Sequence, residues 1–296
     1  FRMARAYTGK NKIIKFQDHF HGWHDYAMAG NSVVGGIPEE TLDSMIVLPP
    51  NDLNAVELTL SQRSDIAAII LEPTGSHMGQ HAVTQDFVKG LREATRQYGV
   101  VLIFDEVVTG FRFAYGGAQE YYGVEPDICT LGKAVAGGFP LTAVAGKDYL
   151  MNHFRSDSVE KENFMPQIVT LSGNPVECAA CLEVLSILKT PGIYESMFKT
   201  GMETMKALQS TFDDANIPAK VVGEPILFDV FFTDHDVYDY RTSILGNPST
   251  LAKFNSILLE NGIFKGTTKF YFSTEHSEDD LKKTINAFEM ASDRLK

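Results

Sequence analysis

The sequence has little that would mark a secreted, membrane-bound or nucleic-acid-binding chain. Only three cysteines, Cys129, Cys178 and Cys181, stand among 296 residues. That is an odd number in a chain too long to need disulfide staples, so a reducing, cytoplasmic setting is expected. No apolar run approaches the roughly 20 residues of a membrane helix, and a candidate such as Ile66–Leu71 is strand-sized. Basic runs are absent and the formal net charge is −12, which on average repels a phosphate backbone. No nucleic-acid or membrane partner is therefore expected. Neither a G-x-G-x-x-G loop nor a G-x-x-x-x-G-K-[ST] loop is present; Gly9-Lys10 and Gly132-Lys133 lack the hydroxyl residue and the spaced glycine.

What remains is globular: 44% hydrophobic, 22% charged, without an internal repeat. The first residue is Phe1, and its helix-like neighbours Met3 and Ala4 imply a chain that starts within a structural unit. Up to about residue 190 the pattern alternates. Short apolar runs at Lys12–Phe16, Met45–Leu48, Ile66–Leu71, Val100–Phe104 and Thr142–Ala145 predict strands. Between them Asp86–Tyr98 predicts a helix with Phe87, Val88, Leu91, Ala94 and Tyr98 on one face and Gly99 as its stop. A second helix is expected from Pro175 to Leu188. This is α/β order, a mainly parallel sheet with helices on both faces. Beyond Thr190-Pro191-Gly192 the order changes: a strand over Val221–Phe232, a helix over Ser249–Glu260, a short strand at Phe270–Ser273, and a last helix capped by Ser277 and Asp280. Residues 1–190 are expected to form a large domain and residues 191–296 a smaller α+β domain.

Two stretches could carry chemistry. The apolar strand ending Asp105-Glu106 puts carboxylates where open α/β sheets bind ligands. It reads as a solvated strand end, as a magnesium-holding strand of an ATPase, or as the source of an acid for the ring nitrogen of pyridoxal phosphate. The run Thr130-Leu131-Gly132-Lys133, followed by Gly137-Gly138, places a lysine in what should be a tight, dry turn. Desolvation there would free the amine to form an imine. Alone, Lys133 is as well read as a surface residue. With Asp105 it completes the pair of groups that pyridoxal phosphate needs.

Longer motifs then agree. Asp105-Glu106-Val107-Val108-Thr109-Gly110-Phe111-Arg112, Tyr115-Gly116-Gly117-Ala118-Gln119, Pro126-Asp127 and Thr130-Leu131-Gly132-Lys133 resemble the core of the class III aminotransferases, most of all glutamate-1-semialdehyde 2,1-aminomutase and its relatives. The likeness extends to Phe20-His21-Gly22, Ile70-Leu71-Glu72-Pro73 and Thr170-Leu171-Ser172-Gly173-Asn174-Pro175. It implies the fold of type I pyridoxal-phosphate enzymes, with a seven-strand mixed sheet. It also implies amino-group transfer through a Schiff base on Lys133, with Asp105 at the ring nitrogen and Val107 and Phe20 on the ring faces. Most relatives carry Tyr where this chain has Phe20. His21 and Glu72 would border the cofactor, and Thr170 would reach the phosphate of a neighbouring subunit, making a homodimer functional. The resemblance places a phosphate-binding loop just ahead of Phe1. The mutase pattern has a Glu near the last strand, whereas Phe264–Ser273 holds only Lys265 and Lys269 among charged residues. Arg112 is the nearest candidate for a substrate carboxylate, with a role in its own turn as the other reading. A non-catalytic subunit is a further alternative.

Lesser signals have blander readings. His19, His21 and His24 with Asp25 have no metal-ligand spacing. Cys178 and Cys181 read as small core residues of the second helix. Glu278-Asp279-Asp280 reads as a first-turn complement to the helix dipole.

Overall fold

The computed structural model describes residues 1–75 and 83–296. The chain divides into two compact units, with the boundary between Lys189 and Thr190. Among the described residues, no helix is long and apolar enough to cross a membrane.

The N-terminal unit is built on six strands: β1 (Lys12–Phe16), β2 (Met45–Leu48), β3 (Ile66–Leu71), β4 (Val101–Glu106), β5 (Ile128–Leu131) and β6 (Ala143–Gly146). Their order is β2-β1-β3-β4-β5-β6, with every pair parallel except the last, where Thr130 faces Val144 antiparallel. The described residues thus supply six strands of the mixed sheet rather than the seven expected.

Helices cover both faces. The N-terminal unit contributes α1 (Arg2–Thr8), α2 (Leu53–Gln62), α3 (Gln85–Tyr98) and α4 (Pro175–Leu188). Helix α3 begins where Thr84 accepts from the Phe87 N–H and ends at Gly99 in the left-handed conformation, as the spacing predicts. Its Phe87, Val88 and Leu91 pack on Ile14, Phe16, Ile69, Leu102 and Phe104. The other sheet face carries Ile13, Ala68, Ile70, Val101, Ile103 and Ile128 under Met3 and Ala4 of α1.

The pleat therefore sorts the end of β4. Asp105 continues the Val101–Ile103 face, and Glu106 the Leu102–Phe104 face.

Helix α4 departs from expectation. Only Glu177 is buried along it, Cys178 and Cys181 are half-exposed, and Leu182 and Val176 are 70% and 61% exposed. Its apolar side chains do not join the core of this chain, so the cysteines are not core residues.

The C-terminal unit has α5 (Ile193–Asp214), α6 (Pro248–Glu260) and α7 (Glu278–Leu295) with strands β7 (Lys220–Glu224), β8 (Leu227–Phe231) and β9 (Phe270–Tyr271). The stretch read as one strand over Val221–Phe232 is a hairpin, because Pro225 has no N–H to continue the ladder. Helix α5 was not foreseen. It buries Met197, Gly201, Thr204, Leu208 and Phe212, and any side chain at position 201 would collide with the Pro225 carbonyl. Phe212, Phe228, Phe254 and Phe288 form the centre of this unit, with Phe228 stacked on Phe270 at 5.0 Å. Ser277 and Asp280 cap α7 reciprocally, as read from the sequence.

Candidate active site

Parallel strands deliver their carboxyl ends to one edge of the N-terminal unit, and a cavity of about 880 Å³ lies there. Phe20, His21, Glu72, Asp105, Val107 and Lys133 all line it. They follow β1, β3, β4 and β5, which are adjacent in the sheet. In register, Asp105 pairs with Thr130 and Glu106 with Leu131, so Lys133 emerges two residues beyond the neighbour of Glu106.

Asp105 is held from three sides. His21 Nδ1 lies 2.8 Å from Oδ2, the Val107 N–H donates to Oδ1 at 3.2 Å, and the Thr130 hydroxyl donates to Oδ1 at 3.3 Å. Facing a carboxylate acceptor, His21 Nδ1 must carry the proton. Burial pushes the His21 imidazole below its usual range, against the pull of Asp105, which favours the charged form.

Glu106 does different work. It is fully buried, accepts from the Thr109 hydroxyl, the Ala118 and Gln119 N–H groups and the Gln119 side chain, and so ties down the 116–119 turn. Burial raises its carboxyl above the usual range even though those donors work the other way. The magnesium-strand reading fails on this geometry: the two carboxylates point to opposite faces and each is already engaged.

Lys133 opens a short 3-10 turn with φ 48°, preceded by an extended Gly132 against Val107 and followed by Gly137 in the left-handed region. The tight turn is as expected. The dry surroundings are not: Lys133 lines the cavity and is exposed. Phe20 lies on the loop after β1, its N–H donating to Glu72 Oε2 at 3.2 Å. The Glu72 N–H in turn donates to His19 Nδ1 at 3.0 Å. Thr170 is exposed and is not part of the cavity wall, although Val169 and Ser172 are. Arg112 donates to the Val108 carbonyl at 3.3 Å within its own turn and does not line the cavity.

Thr130, which donates to Asp105, and His19, which accepts from the Glu72 N–H, were missed as parts of the site. Thr130 lay in plain view in the motif before Lys133. For His19 there was no signal, since its partner is 53 positions away.

A lysine and a hydrogen-bonded acid from adjacent strands thus line one cavity together with Phe20 and Val107. Comparison with known proteins gives the family: residues 1–289 match the family of class III aminotransferases. A glutamate-1-semialdehyde 2,1-aminomutase from Persephonella marina is 40% identical over 97% of this chain and 69% of its own length. An omega-transaminase from Sphaerobacter thermophilus is 31% identical and superposes with a TM-score of 0.93, covering 99% of this chain and 70% of that one. A transaminase with PLP bound is 27% identical, with a TM-score of 0.88 over 99% of this chain and 70% of that one. The chain belongs to the class III aminotransferases, a pyridoxal-phosphate-dependent family of enzymes acting on small molecules.

Proposed function

We propose that this chain transfers amino groups with pyridoxal phosphate held at the cavity described above, Lys133 being the residue that carries it. The observation that supports this most is that Asp105, near the end of β4, and Lys133, just beyond the adjacent parallel β5, line one cavity. The residues present suit the group. A buried carboxylate fixed by three donors matches a protonated ring nitrogen, Phe20 and Val107 offer apolar surface to a ring, and the cavity is large enough.

When bound, pyridoxal phosphate supplies an aldehyde for amines to condense with and a sink for the electrons of a substrate carbanion. Asp105 would keep the ring nitrogen protonated, and His21, Thr130 and the Val107 N–H hold that carboxylate in place. Glu72, fixed by the Phe20 N–H, would face the polar substituents of the ring. The Lys133 amine, once released, would shuttle the proton between the substrate carbon and the cofactor carbon.

A homodimer belongs to the proposal. Ile168 and Leu171, on either side of the exposed Thr170, are 93% and 61% exposed, and α4 presents further apolar side chains. A second copy covering this surface would bring Thr170 to the phosphate of its neighbour. Residues 1–190 would then serve as the cofactor domain and 191–296 as the smaller one. With all three cysteines free, we place the enzyme in the cytoplasm.

Intramolecular transfer on glutamate-1-semialdehyde is the second reading. The Persephonella marina relative favours it, and the lack of an acid in Phe264–Ser273 speaks against it. Incubation with glutamate-1-semialdehyde and no second acceptor separates the two: product forms only if the mutase reading holds. For the proposal as a whole, borohydride reduction in the presence of pyridoxal phosphate should leave the cofactor on the peptide containing Lys133. Attachment to a different lysine would refute it.

A further inference from the structure

Strand β1 buries a cation that the proposed chemistry does not use. The Lys15 side chain is 2% exposed, and the pleat sets it with Ile13 on the sheet face that also carries Ile70, Ile103 and Asp105. Since Ile14 pairs with Ile69 and Ile70 with Ile103, Lys15 falls one strand over from Ile70 and diagonal to Glu72. It is not part of the cavity wall. Its Nζ donates to the Ala27 carbonyl at 2.7 Å. Burial lowers the ammonium to about 8, while Glu72 and Asp18 favour its charge. A methionine would fill the same volume without the cost of burying a charge, so packing alone explains Lys15 poorly.

Two features connect it to Asp105. The loop between β1 and the short helix Asp25–Met28 carries Phe20 and His21, and it is fastened at both ends: by Lys15 at Ala27, and by Glu72 at Phe20 and His19. The His21 side chain is 2% exposed, and its Nε2 has no hydrogen-bond partner among the described residues. An imidazolium there would bury a charge and an unsatisfied N–H. Asp105 on β4 favours that charge, whereas burial and Lys15 on β1 oppose it. The remaining titratable groups nearby are His19, with its ring centroid 6.2 Å away, His24 on the same loop, and Glu72 and Asp18 around Lys15.

We propose that Lys15 is a positioning residue for Asp105: it pins the loop bearing His21 at Ala27, and its charge adds to the burial that keeps the His21 ring neutral. His21 then meets the Asp105 carboxylate as a neutral Nδ1–H donor and leaves it to face a cationic ring nitrogen. This consequence for the ring nitrogen rests on the function proposed above; the coupling of Lys15 to His21 does not.

The test is nitrogen-15 NMR of the histidine rings in the full chain without added cofactor. In Lys15→Met and Lys15→Gln the midpoint for protonating His21 should rise by about half a unit or more, as expected when a nearby positive charge is removed. Lys15→Arg should leave it in place. The glutamine amide can still donate to Ala27, so an unchanged midpoint in Lys15→Gln overturns the inference, whatever the methionine variant does. If neither uncharged variant folds, alkaline titration of the wild type decides. The His21 resonances should move as Lys15 loses its proton near pH 8, and flat resonances through that range overturn the inference. Adding pyridoxal phosphate to the wild type keeps the two readings apart, since failure to bind at Lys133 removes the site assignment but leaves the His21 titration standing.

Discussion

Both units of this chain bury lysines, and Lys15 and Lys265 are treated differently. In the C-terminal unit Lys265 meets Asp229 at 2.9 Å and Asn255 at 3.1 Å, with both charged side chains 0% exposed. In the N-terminal unit Lys15 holds one carbonyl, and its charge is favoured by Glu72 beyond the next strand and by Asp18 just after β1. A buried charge with a full set of close partners is a structural element. One that is under-partnered, beside a cavity lined with ionisable groups, makes better sense as part of the chemistry.

The comparison breaks outright if the sheet-end site proves dispensable. Lys133→Ala should lower amino-transfer turnover roughly a thousandfold or more and abolish borohydride attachment of the cofactor. Next in size is the structural pair. Lys265→Met alone leaves Asp229 buried without its cation and should cost about 3–5 kcal/mol in urea unfolding, whereas Lys265→Met with Asp229→Leu should recover most of that loss. A double variant as unstable as the single would mean that the pair is not what the cluster contributes.

Asp105→Asn should reduce turnover roughly a hundredfold with little change in stability. Glu106→Gln, one residue along on the opposite face, should do the reverse, costing about 1–3 kcal/mol while turnover per folded molecule persists. Equal effects on turnover would erase the distinction between the faces.

The Lys15 ammonium predicts a pH effect of definite sign. Its folded midpoint, about 8, lies below the ordinary lysine value of 10.5, so between them the unfolded chain binds more protons. Stability should therefore rise with pH across that window in the wild type relative to Lys15→Met. A wild-type curve parallel to that of the variant would remove the burial argument. Smallest of all, Ser277→Ala should cost about 1 kcal/mol by opening the cap of α7, with turnover untouched.

Much of this was legible beforehand. Helix α3 announced itself by period and by Gly99, and β1 to β4 and β6 by their short apolar runs, whereas β5 was not picked out. Helix α5 escaped because its buried face includes Gly201 and Thr204, which weaken an apolar period. The 220–231 hairpin was read as a single strand because its apolar residues outweighed Pro225. In the site, the motifs brought out Asp105, Val107 and Lys133, but the openness around Lys133 and the exposure of Thr170 could not be read from residue type.

By itself the sequence determined several of the elements, the lysine and the acid that share the cavity, and which family of enzymes the chain joins. Those depend on local backbone preference and on ordered motifs. Only the tertiary structure decided that Asp105 and Glu106 serve opposite faces, that His21 grips Asp105 across 84 positions, and that Lys15 shares their side of the sheet. Strand order and register create those neighbours, and neither is written in any short stretch of chain.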